Sequence, residues 1–125
     1  MTDDPIDPVL LDLLVSLHEA CLRCQRVAGR TSLEGVATDE FAQLAVSKAI
    51  EQVGEGAHRV LRKFPEFVAE HPEIEFRYAF LMRNRIAHGY DTLDWPTLWQ
   101  IAVTSVPEFR KSLEPILKDA GEDLP

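Results

Sequence analysis

Asp7-Pro8-Val9-Leu10-Leu11-Asp12-Leu13-Leu14-Val15-Ser16-Leu17, carried on through Cys21, Cys24, Val27 and Ala28 to Gly29, is the stretch whose reading decides the fold. An acid able to cap, followed by proline at the first helical position, opens a helix, and glycine after the last periodic residue closes it. Between them the apolar residues Leu10, Leu13, Leu14, Leu17, Cys21, Cys24 and Val27 or Ala28 recur at helical spacing. The stripe buries one face of a helix about six turns long.

The same period runs outward along the chain. A loop over Gly29 to Ala37 leads to a cap at Thr38 or Asp39. The second helix carries Phe41, Ala45, Ala49, Val53, Ala57, Val60 and Phe64, and stops at Pro65. Gly54 and Gly56 inside it cost about 1 kcal/mol each in helix propensity relative to alanine, so a tight helix crossing is expected there. Pro65 to Pro72 is a connector with room for one helical turn, Glu66 to Glu70. A third helix runs from Glu73 or Phe76 to about His88, with Gly89 as its stop. Asp94 caps a fourth, in which Leu98, Ala102, Val106, Phe109, Leu113 and Ile116 keep step across a kink at Pro107. No stretch alternates in the manner of a strand. The expected fold is all-α, an antiparallel four-helix bundle in a single domain over residues 1–125, with an acidic tail fraying from about Asp119.

Composition narrows the function classes. The 125 residues hold 13 Lys+Arg against 21 Asp+Glu, a net charge of −8, with 46% hydrophobic and 27% charged residues. Those are the proportions of a folded acidic domain, not of a disordered chain. No apolar run approaches the roughly 18 residues of a membrane span. The start, Met1-Thr2-Asp3-Asp4-Pro5, lacks the order of a signal peptide, so a cytoplasmic location is expected. A field of −8 opposes a general nucleic-acid coat. Nine of the cations, however, fall in three stretches free of acids: Arg23, Arg26 and Arg30; Arg59, Arg62 and Lys63; Arg77, Arg83 and Arg85. The remainder of the chain is 4 − 21 = −17, so these arginines are either scattered on solvated helix faces or gathered into a basic pocket on an acidic body.

His18, Cys21 and Cys24 form His-x-x-Cys-x-x-Cys, three soft ligands along one flank of a helix. A zinc site needs a fourth ligand, and both cysteines lie on the apolar stripe, which favours core packing over metal or redox chemistry. His58 and His71 are isolated and receive no role. No phosphate loop, His-Glu-x-x-His or nucleophile elbow occurs, so no cofactor and no metal is expected.

Met82-Arg83-Asn84-Arg85-Ile86-Ala87-His88-Gly89-Tyr90 is the segment with chemistry. Asn84 and His88, four apart, share a helix face. Arg83 lies roughly 140° round an ideal helix from His88, so the two converge if the arginine wraps, the helix end loosens or two chains meet. The set suits phosphodiester cleavage: histidine moves a proton near neutral pH and a guanidinium holds the phosphate oxygens as charge develops. RNA brings its own 2′-hydroxyl nucleophile. A histidine at a helix C-terminus is also a favourable dipole partner when charged, so spacing alone leaves a structural role open.

Arg83-Asn84-x-x-x-His88-x-Tyr90 resembles the signature of HEPN-domain proteins of the HepT-like toxin family. Ile50-Glu51-Gln52-Val53-Gly54-Glu55-Gly56 is similar to that family's glycine-glutamate stretch, with Gly56 where a larger residue such as alanine is expected. Pro72 to Phe76, and Leu93-Asp94 through Trp99 to Pro107, resemble it too. The resemblance covers roughly Phe41 to Leu117 and implies a HEPN-like helical bundle, homodimeric, with two motifs facing one cleft. It implies a metal-independent endoribonuclease toxin with Arg83 and His88 as the catalytic pair. Asn84, Arg85 and Arg77 would orient or bind RNA. The implied partner is an MntA-like minimal nucleotidyltransferase antitoxin, which transfers AMP to the motif tyrosine, here Tyr90. A local +3 from Arg77, Arg83 and Arg85 becomes +6 across a two-fold axis, enough to offset the acidic body locally. The competing reading is a non-catalytic HEPN module that binds a nucleotide or docks a nucleotidyltransferase.

Overall fold

Asp7 caps α1 (Pro8–Ala28), its carboxylate accepting from the Val9 and Leu10 amides at 2.8 and 3.4 Å. The computed structural model describes residues 5–88 and 94–125, with the side chains of residues 84–88 left out of the description. Leu10, Leu14, Leu17, Cys21, Cys24 and Ala28 are buried as the stripe requires, joined by His18 and Ala20. Leu13 and Val27 are partly buried at its edges.

The segment expected as a loop contains a short helix, α2 (Leu33–Thr38). Ser32 caps it through the Gly35 amide at 3.0 Å, and fully buried Val36 pins it to the core. Asp39 then caps α3 (Glu40–Lys63) through the Phe41 amide.

The start of α3 corrects the sequence reading. Phe41 is 84% exposed and Ala45 also faces solvent, whereas Ala42, Val46, Ala49, Ile50, Val53, Ala57 and Val60 are buried. Both sets satisfy helical spacing. Continuing the stripe back from Ala49 through Val46 and Ala42 puts β-branched Val46 inside and leaves Phe41 out.

Pro65 starts the one-turn-and-a-half α4 (Pro65–Glu70), and His71 Nδ1 donates to the Phe67 carbonyl at its end. α5 (Phe76–His88) follows; its expected stop at Gly89 lies outside the described residues. At Asp94 the carboxylate accepts from the Thr97 hydroxyl at 2.6 Å rather than from a backbone amide, and the Asp94 carbonyl receives the Leu98 amide. The final helical run comprises α6 (Trp95–Gln100), a π-helical segment (Ile101–Ser105) and α7 (Val106–Asp119).

The widened turn explains how Pro107 is housed. The Val106 amide donates five residues back to Ile101, so the ladder is already reset where proline has no amide to give and a ring to place. Leu98, Ala102, Val106, Phe109, Leu113 and Leu117 are buried throughout, and Ile116 lies beside them partly exposed. Pro115, inside α7, is exposed and leaves this stripe intact.

Paired positions give the helix directions. Leu17 meets Gly56 and Arg23 meets Gln52, so α1 and α3 are antiparallel. Gly54 meets Arg83 and His58 stacks on Phe80, so α3 and α5 are antiparallel too. His18 faces Glu114 and Gln25 faces Arg110, which sets α1 against α7 in the same sense. That last contact is a polar network in a mostly apolar seam. Glu114 Oε2 sits 3.3 Å from His18 Nε2 and 2.7 Å from Arg110 Nη1, while Arg110 Nε donates to Gln25 at 2.6 Å. Buried His18 thereby has a polar partner.

Past Asp119, where the sequence suggests fraying, the first residues are hydrogen-bonded back to α7. Gly121, at φ 88°, lets the Gly121 amide reach Lys118 and the Glu122 amide reach Leu117. This paired closure satisfies the last carbonyls of α7, and Leu124 packs partly buried on the core. No helix among the described residues is long and apolar enough to cross a membrane.

Cys21 and Cys24 are fully buried free thiols. Burial pushes both up to about 12; for Cys21 the neighbouring Cys24 adds to this, and Arg110 partly offsets it. His18 turns to Glu114, and among the described residues no three histidine, cysteine or acidic side chains gather to hold a metal ion. Only the thiolate attacks a disulfide reagent. At pH 8 a pKa of 12 in place of 9 cuts the thiolate fraction on the order of a thousandfold. Titration with an aromatic disulfide should therefore register both thiols only after denaturant is added. Prompt reaction of the native protein would mean that α1 opens far more readily than its packing implies.

Candidate active site

Arg83 is placed by backbone proximity before any charge acts on it. Gly54 is buried where α3 crosses α5, and a Cβ there would collide with the Arg83 Cβ and stand 2.9 Å from the Ala79 carbonyl oxygen. The absence of a side chain at Gly54 is what lets the two helices approach. The expected tight crossing is therefore present, and it falls on Arg83 itself.

The next residue of α3 supplies the counter-charge. Glu55 Oε2 lies 2.7 Å from Arg83 Nε, off the line of a hydrogen bond, so the contact is an ion pair by proximity. The Arg83 and Glu55 side chains are 31% and 41% exposed, which leaves the pair open to water and to an anion at its outer side. Pairs of this exposure contribute little to stability. Their value is positional, because the arginine is held on the α3 side of α5 while its outer nitrogens remain available as donors.

Arg77, six residues earlier, is exposed on a different face of α5, so it does not join the Arg83–Glu55 pair within one chain. Tyr78 and Leu81 are each 49% exposed on the same helix. Asn84, Arg85 and His88 continue α5 in its backbone, with side chains outside the described residues. Tyr90 lies outside the described residues altogether.

The sequence reading missed the role of Glu55. Its signal was faint: an acid directly after a glycine at an expected close crossing lies about 100° round the helix from it, near the rim of the crossing.

Comparison with known proteins decides the family. A model of the HepT-like family, described as ribonuclease HepT-like, matches residues 17–116, a span containing Glu55, Arg83, His88 and Tyr90. This chain belongs to the HepT-like ribonuclease family. It is 34% identical over 79 residues to a Methanocaldococcus jannaschii protein named "Putative RNase MJ0125", covering 62% of this chain and 65% of that one. A second protein from that organism, "Putative RNase MJ1216", is 35% identical over 81 residues, 63% of this chain and 64% of its own length. A Thermococcus cleftensis protein named "Probable ribonuclease HepT" is 27% identical over 107 residues, 86% of this chain and 94% of that one. The chain thus spans somewhat under two thirds of the first two relatives. No solved structure gives a significant match. In this chain the α3–α5 crossing fixes Arg83 through its contact with Gly54.

Proposed function

We propose that this protein is a metal-independent endoribonuclease that cuts RNA with Arg83 and His88. The observation that carries the reading is the placement of Arg83, pressed against Gly54 and paired to Glu55 on a half-open face of the α3–α5 seam. In the proposed reaction the RNA 2′-oxygen bonds to the adjacent phosphorus while the bond from phosphorus to the 5′-oxygen breaks. A proton leaves the 2′-hydroxyl and a proton is delivered to the departing oxygen. His88 serves one of these transfers, as base or as acid, and Arg83 holds the phosphoryl oxygens of the five-coordinate transition state. Asn84, Arg85 and Arg77 orient the strand or add positive charge.

The active species in this reading is a homodimer with two motifs at one cleft. Tyr78 and Leu81 on α5, and Phe41 and Leu44 on α3, are large side chains left about half exposed or more by a single chain, and a second copy gives them a partner. The protein acts as the toxin of a two-gene module in the cytoplasm. Its antitoxin, a minimal nucleotidyltransferase, transfers AMP to Tyr90, and the added phosphate blocks an anionic substrate by charge and bulk.

The test is cleavage of a mixed RNA pool by purified protein in excess chelator, with intact mass confirming unmodified Tyr90. Cutting is the expected result. A folded, unmodified dimer that leaves RNA intact would favour the non-catalytic module instead.

Glu55 supplies a sharper check as a positioning residue. Glu55→Ala removes an acid from the substrate face and frees Arg83. RNA should then bind a few-fold more tightly, because a phosphate no longer competes with the carboxylate. Turnover should fall about tenfold or more, because catalysis is sensitive to small misplacements of a charged group. KM and kcat falling together mark this role, and a fall in kcat with KM unchanged would count against it.

A further inference from the structure

A groove of about 470 Å³ runs between α1 and α3, lined by Ser16 and Arg23 on one wall and by Gln52, Glu55 and Arg59 on the other. Gly56 forms part of its floor, where an added Cβ would come within 2.9 Å of Leu17 Cδ1. From Gln52 to Arg59 is about two helical turns, roughly 10 Å along α3. Glu55 belongs both to this groove and to the ion pair with Arg83, so the groove ends one side chain from the proposed catalytic arginine.

Its charge is unusual for a chain of net −8. The two acids in its lining are already engaged, Glu19 with Arg26 at 3.0 Å and Glu55 with Arg83. Arg23 donates to a neutral partner, Gln52 Oε1, at 3.2 Å. Arg59 forms no ion pair among the described residues and is exposed. Two cations on opposite walls are thereby left without internal compensation. Two of the three acid-free basic stretches of the sequence, separate clusters by local pattern, each send one arginine here, Arg23 and Arg59, and the third places Arg83 on Glu55 at the groove's end.

We infer that the α1–α3 groove is a binding track for the RNA strand beside the scissile bond, with Arg23 and Arg59 each engaging a backbone phosphate. The identity of the strand rests on the ribonuclease reading; the anion-binding character of the groove does not. A groove with a guanidinium on each wall suits a single strand, whose flexible backbone can bring successive phosphates to both cations. The Gln52 amide, released from Arg23, offers a donor and an acceptor to a sugar hydroxyl or a base edge.

The test is equilibrium binding of a fluorescent 2′-O-methylated oligoribonucleotide, which lacks the nucleophile and cannot be cut. Wild type is compared with Arg23→Ala/Arg59→Ala and with Lys111→Ala/Lys118→Ala, which removes the same charge from exposed positions of α7. Circular dichroism confirms that each variant is folded. The groove variant should bind at least tenfold more weakly. Its slope of log affinity against log salt should shrink by about 1.4, from two lost phosphate contacts at roughly 0.7 each. The α7 variant should stay within about twofold of wild type. Equal losses in both variants, no loss in the groove variant, or no binding by wild type would each overturn the track. RNA binding through the groove without cleavage of unmodified RNA would leave the track standing and overturn the ribonuclease reading.

Discussion

His88→Ala should lower RNA cleavage by between about a hundredfold and ten-thousandfold, the range a positioned acid or base contributes. Its thermal midpoint should stay close to wild type. His88 is the last residue of α5, a position where a charged imidazole gains about 0.3–1 kcal/mol from the helix dipole. Arg83→Ala should lose about a hundredfold to a thousandfold, the scale of removing one donor that stabilises transition-state charge. It differs from His88→Ala in mechanism. Arg83 is partly buried against α3, so its aliphatic stem also packs, and alanine should lower stability measurably. Arg83→Lys separates the two roles: the stem and the charge survive, but the planar fork that can grip two phosphate oxygens does not. Its fold should match wild type and its turnover should stay depressed. Cleavage that persists undiminished in His88→Ala would remove the histidine from the mechanism, and unfolding of that variant would make its role structural.

Much of the fold was legible because its signals are local. Asp7-Pro8 and Gly29 bracket α1 within one or two residues, and Asp39 and Pro65 bracket α3, since caps and prolines act on neighbouring amides. The misread parts are those in which a distant residue decides. α2 has a single buried side chain, Val36, too few for a period to show. At the start of α3 both Phe41–Ala45 and Ala42–Val46 have helical spacing, and only the packed neighbours choose between them. The π-helical segment before Pro107 replaces the simple kink that proline alone suggests.

The candidate site divides in the same way. Arg83 and His88 are conspicuous as residue types at a motif spacing, and the glycines of α3 announce a close approach. The partner of Arg83 is 28 positions away in Glu55, and the partner of His18 is 96 positions away in Glu114. No periodicity carries such a pairing; antiparallel register does, once the helices are docked. Gathering Arg23, Arg59 and Arg83 around α3 has the same origin. Clusters separated along the chain meet because α1 and α5 both pack on α3.

Gly54 and Gly56, two positions apart on one helix, should respond to alanine in opposite ways. In isolation each Gly→Ala change favours the helix by about 1 kcal/mol. At Gly54 the new methyl meets the Arg83 Cβ, the Ala79 carbonyl oxygen at 2.9 Å and the Arg83 Cα at 3.2 Å. These are backbone and near-backbone atoms, so relief requires α3 and α5 to move apart. Overpacking of this kind costs about 1–3 kcal/mol, which exceeds or cancels the propensity gain and leaves Gly54→Ala up to about 2 kcal/mol less stable. Activity should suffer more than stability, because the atoms displaced belong to Arg83, and a misplacement near 1 Å can cost about a hundredfold. At Gly56 the nearest atom is Leu17 Cδ1 at 2.9 Å, with the Leu17 Cβ next at 3.6 Å. A terminal methyl yields by a small side-chain rotation, so Gly56→Ala should be neutral or stabilised by up to about 1 kcal/mol, with the Arg83–Glu55 pair undisturbed. Thermal melts and cleavage rates on the two variants read both effects. A Gly54→Ala protein as stable and as active as wild type would mean that the α3–α5 crossing does not hold Arg83 in place.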